Sequence, residues 1–304
     1  MPVPARNGVV YGALVLLALI WGYTWVAIKV ATNDASPLLV ASGRIALGVA
    51  VLFAILAATR RSLRPTPLGP TIVLGLLQTT GWTVLQTIAV SLGGAGKVAI
   101  LGYTMPFWVA LIAWPFLGER IAGARWIALA LAAAGLALVV SPLGPRTIAG
   151  DLLAVGAGFL WACSAVYLKW MRARYDVDLL SLTAWQMLWG VLPMLALTAI
   201  VPQHVRFTPS FVAAMLFTAV LGAAVAWYLW MFVLSHLPAG VAGIASLATP
   251  VVGVAASALQ LHEIPSPTEI AGMALIVIAL AVNAFPASAS LPHRKATAAA
   301  PRHL

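Results

Sequence analysis

The chain has 304 residues, of which 62% are hydrophobic and only 8% are charged, and its formal net charge is +10. A soluble globular domain carries about 25% charged residues, so this chain cannot cover a water-exposed surface and its solvent must be lipid. The positive charge does not indicate nucleic-acid binding, because it lies in short loops with no soluble domain to display it. Cys163 is the only cysteine in the sequence, which excludes an intrachain disulfide.

Ten apolar runs between charged residues or Pro/Gly breaks are each close to the length of about 20 residues that a membrane-spanning helix needs. The first run is long and Trp-rich and lacks a small-residue cleavage site, so we interpret it as a retained span rather than a signal peptide. The sequence thus predicts an all-α integral membrane protein of ten transmembrane helices. In chain order, the predicted spans are 8–30, 37–58, 67–91, 96–117, 121–140, 150–170, 179–201, 209–235, 240–261 and 267–285.

Four of these spans begin with a hydroxyl side chain followed by proline, a signature of a helix N-terminus. In the last of them Glu269 follows the hydroxyl by three residues and completes a capping box, so we expect a structural role for this carboxylate. The four starts are Ser36-Pro37, Thr66-Pro67, Thr208-Pro209 and Ser266-Pro267.

The distribution of Lys and Arg predicts the orientation of the chain in the membrane. With the N-terminus inside, the inner segments carry twelve Lys and Arg residues. The outer loops and the adjoining span ends carry four: Lys29, Lys97, Arg146 and Arg206. We therefore expect the N and C termini to be cytoplasmic. Residues 286–304 are rich in Ala, Ser, Pro and basic residues, which predicts a disordered cytoplasmic tail.

A long internal repeat divides the chain into two halves. Residues 91–119 align without gaps on residues 235–263, at an offset of 144 residues, and a Trp…Lys pair of the first span recurs 140 residues later in the sixth. The predicted halves are 8–141 and 149–285, with five spans each. Because five is odd, the second half enters the membrane with opposite polarity, so the predicted repeat is inverted.

Each copy of the repeat carries a proline and a glutamate at the same spacing: Pro106 and Glu119, then Pro250 and Glu263. A proline inside a helix removes a backbone hydrogen bond, so each proline is either a packing kink or a hinge between inward-facing and outward-facing states. The glutamates lie at span ends, where they either cap the following span against its helix dipole or act as gates. All four residues are hinge or gate candidates.

These residues, together with Trp21-Gly22 and Leu117-Gly118-Glu119-Arg120, make the chain resemble the EamA-type ten-span permeases of the drug/metabolite transporter superfamily over about residues 9–285. The overall pattern is most similar to the aromatic amino acid exporter group. The second copy departs from the motif, since it reads Leu261-His262-Glu263-Ile264.

The resemblance implies a secondary carrier of the cell inner membrane that moves small organic solutes out of the cell by alternating access. We expect it to work in the lipid bilayer as a monomer or weak dimer, with no cofactor and no nucleic-acid partner.

Polar side chains are costly within a membrane and tend to face the protein interior. Gln78, Trp82 and Gln86 follow one another at steps of four residues, which places them on one face of an α-helix. By the resemblance, spans one, three, four, six, eight and nine surround the pathway. The alternatives are that aromatic residues belong to an interfacial belt and that hydroxyls bond to their own helix. The substrate-contact candidates are Trp21, Gln78, Trp82, Gln86, Tyr103, Trp161, Ser164, Tyr228 and Ser246.

Arg44 is the one strong charge inside a span, and its counterpart at an offset of 142 residues is Gln186. Either Arg44 extends its guanidinium group to the membrane interface, or it anchors a substrate carboxylate. By contrast, no Asp, Glu or His falls near the centre of a span, which favours facilitated exchange over proton-driven transport.

The amides, hydroxyls and aromatic rings suit a neutral or zwitterionic solute with an apolar side chain, so export of neutral or aromatic amino acids is the leading hypothesis. A polyspecific exporter of drugs or other metabolites is an alternative, although cationic drugs usually need a buried acid. An intramembrane enzyme is a more remote alternative, because the spans contain no catalytic constellation. We expect no catalytic site and no metal site.

Overall fold

The computed structural model describes residues 4–60, 67–118, 123–139, 145–236 and 248–284. Over these residues the chain is built from helices, and an isolated antiparallel bridge joins Ala35 to Val205. The predicted tail 286–304, Glu119, Ser246 and residues 240–247 of the predicted ninth span lie outside the described residues.

The described residues form ten helices, which we number in chain order. Two of them, α3 and α8, change from α-helix to π-helix and back, and α4 is interrupted by a turn. The helices are α1 (Pro4–Asp34), α2 (Pro37–Ala58), α3 (Leu68–Leu74, π-helical Gly75–Gly81 and Trp82–Leu92), α4 (Ala95–Gly102 and Met105–Leu117), α5 (Ala124–Val139), α6 (Pro145–Arg172), α7 (Leu179–Ile200), α8 (Pro209–Leu216, π-helical Phe217–Val225 and Ala226–His236), α9 (Ala248–Leu261) and α10 (Pro267–Ala284).

Seven of these helices are long and apolar enough to cross a membrane: α1, α2, α3, α4, α6, α7 and α8. The other three predicted spans coincide with shorter apolar helices over Trp126–Val139, Ala248–Leu261 and Pro267–Val282. Large apolar side chains remain exposed along the helices, as expected for a protein whose solvent is lipid.

Two of the four predicted helix caps are formed, one is not, and Thr66 lies outside the described residues. The Thr208 hydroxyl accepts a hydrogen bond from the Phe211 N–H at 3.1 Å, and the Ser266–Glu269 capping box is formed. Ser36 precedes α2 but makes no side-chain cap; its hydroxyl instead contacts His204 Nδ1 at 2.9 Å.

Helices of each predicted half pack against helices of the other half, in equivalent pairs. Helix α1 packs on α9 while α6 packs on α4, and α2 packs on the π-helical part of α8 while α7 packs on that of α3. The fifth helices, α5 and α10, pack on each other. These contacts between the halves therefore come in pairs in which the roles of the halves are reversed.

Glycines permit the closest of these crossings. A methyl group on Gly48 of α2 would lie 2.8 Å from the Ala223 Cβ of α8, and one on Gly190 of α7 would lie 2.5 Å from the Thr79 Cβ of α3. Gly48 and Gly190 are 142 residues apart, and the residues they contact are 144 apart. The two crossings therefore use equivalent positions.

A third close crossing joins α5 to α10. A methyl group on either Gly135 or Gly272 would lie 2.7 Å from the carbonyl oxygen of the other glycine. Two backbones this close exclude any side chain from the crossing point.

Candidate functional site

Helix α4 is broken where the sequence predicted a continuous span. The first segment ends at Gly102, and the second begins at Met105 with Pro106 in its first turn. Proline has no N–H, so the Gly102 carbonyl four residues earlier receives no helical hydrogen bond from it. Pro106 thus begins a helical segment rather than bending a continuous one. Pro250 is the third described residue of α9, and the residues before Ala248 lie outside the described residues.

Two tryptophans pack against this break. Trp25 of α1 and Trp82 of α3 form an edge-to-face pair with centroids 6.2 Å apart. A methyl group on Gly102 would lie 3.1 Å from the Trp25 ring and 3.3 Å from the Trp82 ring, so both rings rest on the α4 backbone. Tyr103 is buried beside them and faces Thr249 of α9.

The sequence analysis missed Trp25 in this group. It lies one helical turn after Trp21, so the four-residue spacing used for α3 would have found it.

Arg44 of α2 is buried and contacts α3, the helix that carries Trp82. Its Nη2 donates a hydrogen bond to Gln86 Oε1 at 3.3 Å, and Gln86 lies one turn beyond Trp82 on α3. Arg44 is 6% exposed, and its Nε has no hydrogen-bond partner among the described residues. No described carboxylate forms an ion pair with it. Arg44 therefore does not extend its guanidinium group to the protein surface, and its charge is uncompensated in the described part of the protein.

Gln78 lies in the π-helical segment of α3 and is half-buried. Its amide makes no hydrogen bond to another described side chain. The neighbouring Thr79 hydroxyl donates to Gln186 Oε1 at 2.8 Å, and the Thr80 hydroxyl donates to the Gly190 carbonyl at 2.6 Å. Because the π-helix changes the angle per residue, the α-helical spacing that joined Gln78 to Trp82 does not apply across Gly81.

Trp21 occupies a different position, between α1 and α8. Its Nε1 donates to the Gly222 carbonyl at 3.2 Å, and its ring packs against Trp227 and Trp230, each with centroids 5.9 Å away. The carbonyl belongs to the π-helical segment of α8. Trp21 thus bonds to one π-helical segment, while Gln78 lies in the other.

The remaining candidates are less well disposed for binding. The Ser164 hydroxyl is fully buried and donates to the Trp161 carbonyl at 2.6 Å, so it is occupied by its own helix. Trp161 is half-buried on α6, and Tyr228 is 45% exposed on α8.

Glu263 ties the end of α9 to the start of α4. Its Oε2 accepts hydrogen bonds from the Ala95 N–H at 2.7 Å and from the Ser257 hydroxyl. Lys29 of α1 caps the adjacent end of α3, since its Nζ donates to the Val90 carbonyl at 2.9 Å and the Gly93 carbonyl at 2.8 Å. The loop between α3 and α4 is therefore held by a cation on one side and an anion on the other.

A buried ion cluster lies beside this loop. Lys97 Nζ of α4 lies 2.8 Å from Asp151 Oδ2 of α6 and 3.2 Å from Glu269 Oε1 of α10. The sequence analysis assigned Lys97 to an outer loop and Glu269 to a capping box alone. Nothing in the helical spacing brings these three residues together, because they lie on three separate helices.

At the same end of the bundle, the segment between α7 and α8 is bonded to the end of α1. Arg206 Nη2 lies 2.7 Å from Asp34 Oδ1, and the Thr208 hydroxyl donates to Asp34 Oδ2 at 2.6 Å. These bonds, like the bond between Ala95 and Glu263, join the first half of the chain to the second.

Both halves of the chain match the EamA-like transporter family, over residues 8–141 and 148–285. The uncharacterized transporter YoaV of Bacillus subtilis is 29% identical over 90% of this chain and 95% of its own length. A "Probable amino-acid metabolite efflux pump" of Salmonella typhimurium is 27% identical over 89% of this chain and 93% of its own length. The Escherichia coli protein of the same name is 26% identical over 90% and 94%.

A solved crystal structure has a TM-score of 0.65 against this chain and covers 90% of this chain and 96% of its own, at 20% identity. This similarity concerns the fold alone. The family and its named relatives are transporters, so an intramembrane enzyme is no longer an alternative. The chain belongs to the EamA-like transporter family of the drug/metabolite transporter superfamily and is a multi-pass inner-membrane exporter of small solutes.

Proposed function

We propose that this protein exports neutral amino acids, with a preference for aromatic side chains, as a secondary carrier working by alternating access. The names of the Salmonella and Escherichia coli relatives support amino acid metabolites as the substrate class. The proposed preference for aromatic side chains is supported by the resemblance to the aromatic amino acid exporter group and by the aromatic rings near α4.

The observation that carries the proposal is the uncompensated charge of Arg44. A buried guanidinium group without a counter-ion is costly, and a carboxylate is its best partner because the two groups form paired hydrogen bonds. Gln86 already holds one edge of the group, while Nε is unpaired among the described residues. A substrate carboxylate would complete this arrangement.

The same surroundings suit the rest of an amino acid. The Gly102 carbonyl, which loses a helical partner to Pro106, is an acceptor for the substrate ammonium group. Gln78, in the π-helical segment of α3, is proposed as a second substrate contact. Trp25 and Trp82 offer apolar rings for its side chain. A cationic drug would instead meet the positive charge of Arg44, which disfavours the polyspecific alternative.

Alternating access would use ten spans in two inverted five-helix repeats, 8–141 and 149–285, with both termini cytoplasmic. The exchanged packing of equivalent helices supports this arrangement. Pro106 and Pro250 would act as hinges, and Glu119 and Glu263 as gates at opposite faces. The hydrogen bonds that Glu263 accepts from Ala95 and Ser257 would hold such a gate closed. We propose a monomer or weak dimer.

The test is counterflow in liposomes loaded with unlabelled amino acids, using labelled phenylalanine, tryptophan, threonine and methionine outside. We expect saturable exchange of at least the aromatic amino acids. The matched arm uses phenethylamine, which lacks the carboxylate and should not exchange. Absence of exchange with every amino acid, or equal exchange of phenethylamine, would contradict the proposal.

A further inference from the structure

The ion cluster of Lys97, Asp151 and Glu269 carries one negative charge too many. Two carboxylates share one ammonium group, and all three residues are at most 8% exposed. An unbalanced charge held away from water is costly by several kcal/mol, and proteins commonly relieve it by binding a proton.

The two carboxylates are unequally supported. Glu269 Oε2 accepts hydrogen bonds from the Ser266 N–H and hydroxyl, both at 2.9 Å, and Glu269 lies in the first turn of α10, where the helix dipole favours an anion. Asp151 is fully buried, and its Oδ1 has no hydrogen-bond partner among the described residues. Glu269 is therefore the carboxylate that stays ionised.

Among the side chains that the structure describes, no other charge on the neighbouring helices balances Asp151. Helix α3, which packs along α6, has no charged residue between Leu68 and Leu92, so the charged groups that face Asp151 are Lys97 of α4 and Glu269 of α10. The next charges along this end of the bundle, Lys29 and Glu263, are engaged with the ends of α3 and α4.

We propose that Asp151 is a proton-binding site whose occupancy controls the opening of this end of the transporter. The carboxylate takes up a proton from water, Lys97 remains an ammonium ion, and the ion pair between α4 and α6 is lost. Lys97 then keeps Glu269 as its partner, with one positive and one negative charge, so the cluster becomes neutral.

The first segment of α4 is the element that this change would free. It carries Lys97, its Ala95 N–H is held by Glu263, and a methyl group on Gly96 would lie 3.1 Å from the Val254 Cα of α9. The same segment ends at the break beside the candidate site. Loss of its tie to α6 removes one of the contacts that keep this end shut.

The first experiment needs no substrate and so stands apart from the proposed amino acid export. In a Cys163→Ser background, a cysteine replaces Ser91 at the end of α3, and its labelling by a membrane-impermeant maleimide is measured at one fixed pH. Asp151→Asn, which resembles the protonated carboxyl group, should label several-fold faster than the parent. Equal labelling rates would overturn the proposal.

The second experiment measures amino acid counterflow as a function of pH with the same pH on both sides of the liposome. The parent should exchange faster as the pH falls, and Asp151→Asn should lose this dependence. The matched variant Glu269→Gln removes the excess charge but leaves Asp151 paired with Lys97, so its pH profile should move to lower pH. A profile of Asp151→Asn that follows the parent would contradict the proposal.

Asparagine has the size of aspartate and removes a buried charge, so Asp151→Asn should fold. If its size-exclusion profile shows aggregation, Asp151→Ser replaces it in both experiments, with the same expected direction and the same contradicting results.

Discussion

The crossing of α2 with α8 and the crossing of α7 with α3 have the same backbone contacts and different polar groups. Gly48 and Gly190 occupy equivalent places in them. In the crossing of α7 with α3, Thr79 donates to Gln186. In the crossing of α2 with α8, the equivalent Arg44 instead donates to Gln86 of α3 and keeps an unpaired Nε among the described residues. The equivalent glycines thus allow close helix packing in both crossings, whereas an uncompensated charge, that of Arg44, is found on α2 alone of the two equivalent helices α2 and α7 as described.

Arg44→Gln would place glutamine at both equivalent positions, 44 and 186, and so remove the main difference between α2 and α7. Removal of one partner from a buried charged contact costs about 2–5 kcal/mol in binding, so we expect KM for aromatic amino acid counterflow to rise at least about thirtyfold. Stability should not fall, because a buried charge is removed. The control is Gln186→Leu, which should lower the melting temperature and leave KM unchanged; an unchanged KM in Arg44→Gln would exclude the carboxylate anchor.

The glycines test whether the two crossings are equally tight. In Gly190→Ala the new methyl group meets the Gly75 carbonyl oxygen at 2.6 Å as well as Thr79, whereas in Gly48→Ala it meets the Ala223 Cβ at 2.8 Å and the nearest carbonyl at 3.4 Å. Overpacking costs about 1–3 kcal/mol. We expect both variants to melt at lower temperature in detergent, with the larger decrease for Gly190→Ala. The reverse order would show that α7 moves away from α3 more readily than α2 from α8.

Trp82 lies on α3 where α8 has Ala226, 144 residues later. Trp82→Ala again makes the two halves alike and removes the ring that packs on Trp25, so we expect counterflow of aromatic amino acids to weaken by about tenfold, a loss of about 1.4 kcal/mol. The control is Trp126→Ala, since Trp126 forms a similar edge-to-face pair with Trp114 on the exposed surface. Equal losses in the two variants would remove Trp82 from the site.

The smallest expected effect concerns the ends of α4 and α9. Gly118 and His262 are 144 residues apart, and both have positive φ, +70° and +55°. A left-handed residue after a helix favours glycine, and for other residues this conformation costs about 1 kcal/mol. His262→Gly should therefore raise the melting temperature slightly without changing KM, whereas Gly118→Ala should lower it. A lower melting temperature for His262→Gly would show that the imidazole makes a contact worth more than the strain.

The apolar pattern of the sequence predicted the helices but did not predict where they are interrupted. Seven spans and the capping box around Glu269 followed from apolar length and local spacing. The proline at 106 allowed a kink or a hinge, and periodicity did not distinguish these from the break after Gly102, where Gly158 of α6 also packs against the Gly102 carbonyl. The two π-helical segments have no signal in the apolar pattern. The cluster around Lys97 joins three helices, so no local pattern could predict it.

The close contact of Gly135 with Gly272 has a mechanical consequence. At this point the last helices of the two halves meet backbone to backbone, and side chains of Ile276 and Val139 pack beside the contact. Sliding at this point would force carbonyl oxygens against backbone atoms already at contact distance. The α5–α10 contact is thus suited to stay fixed while the other eight helices change position. The backbone amides of these two helices should be the slowest in the protein to exchange with deuterium.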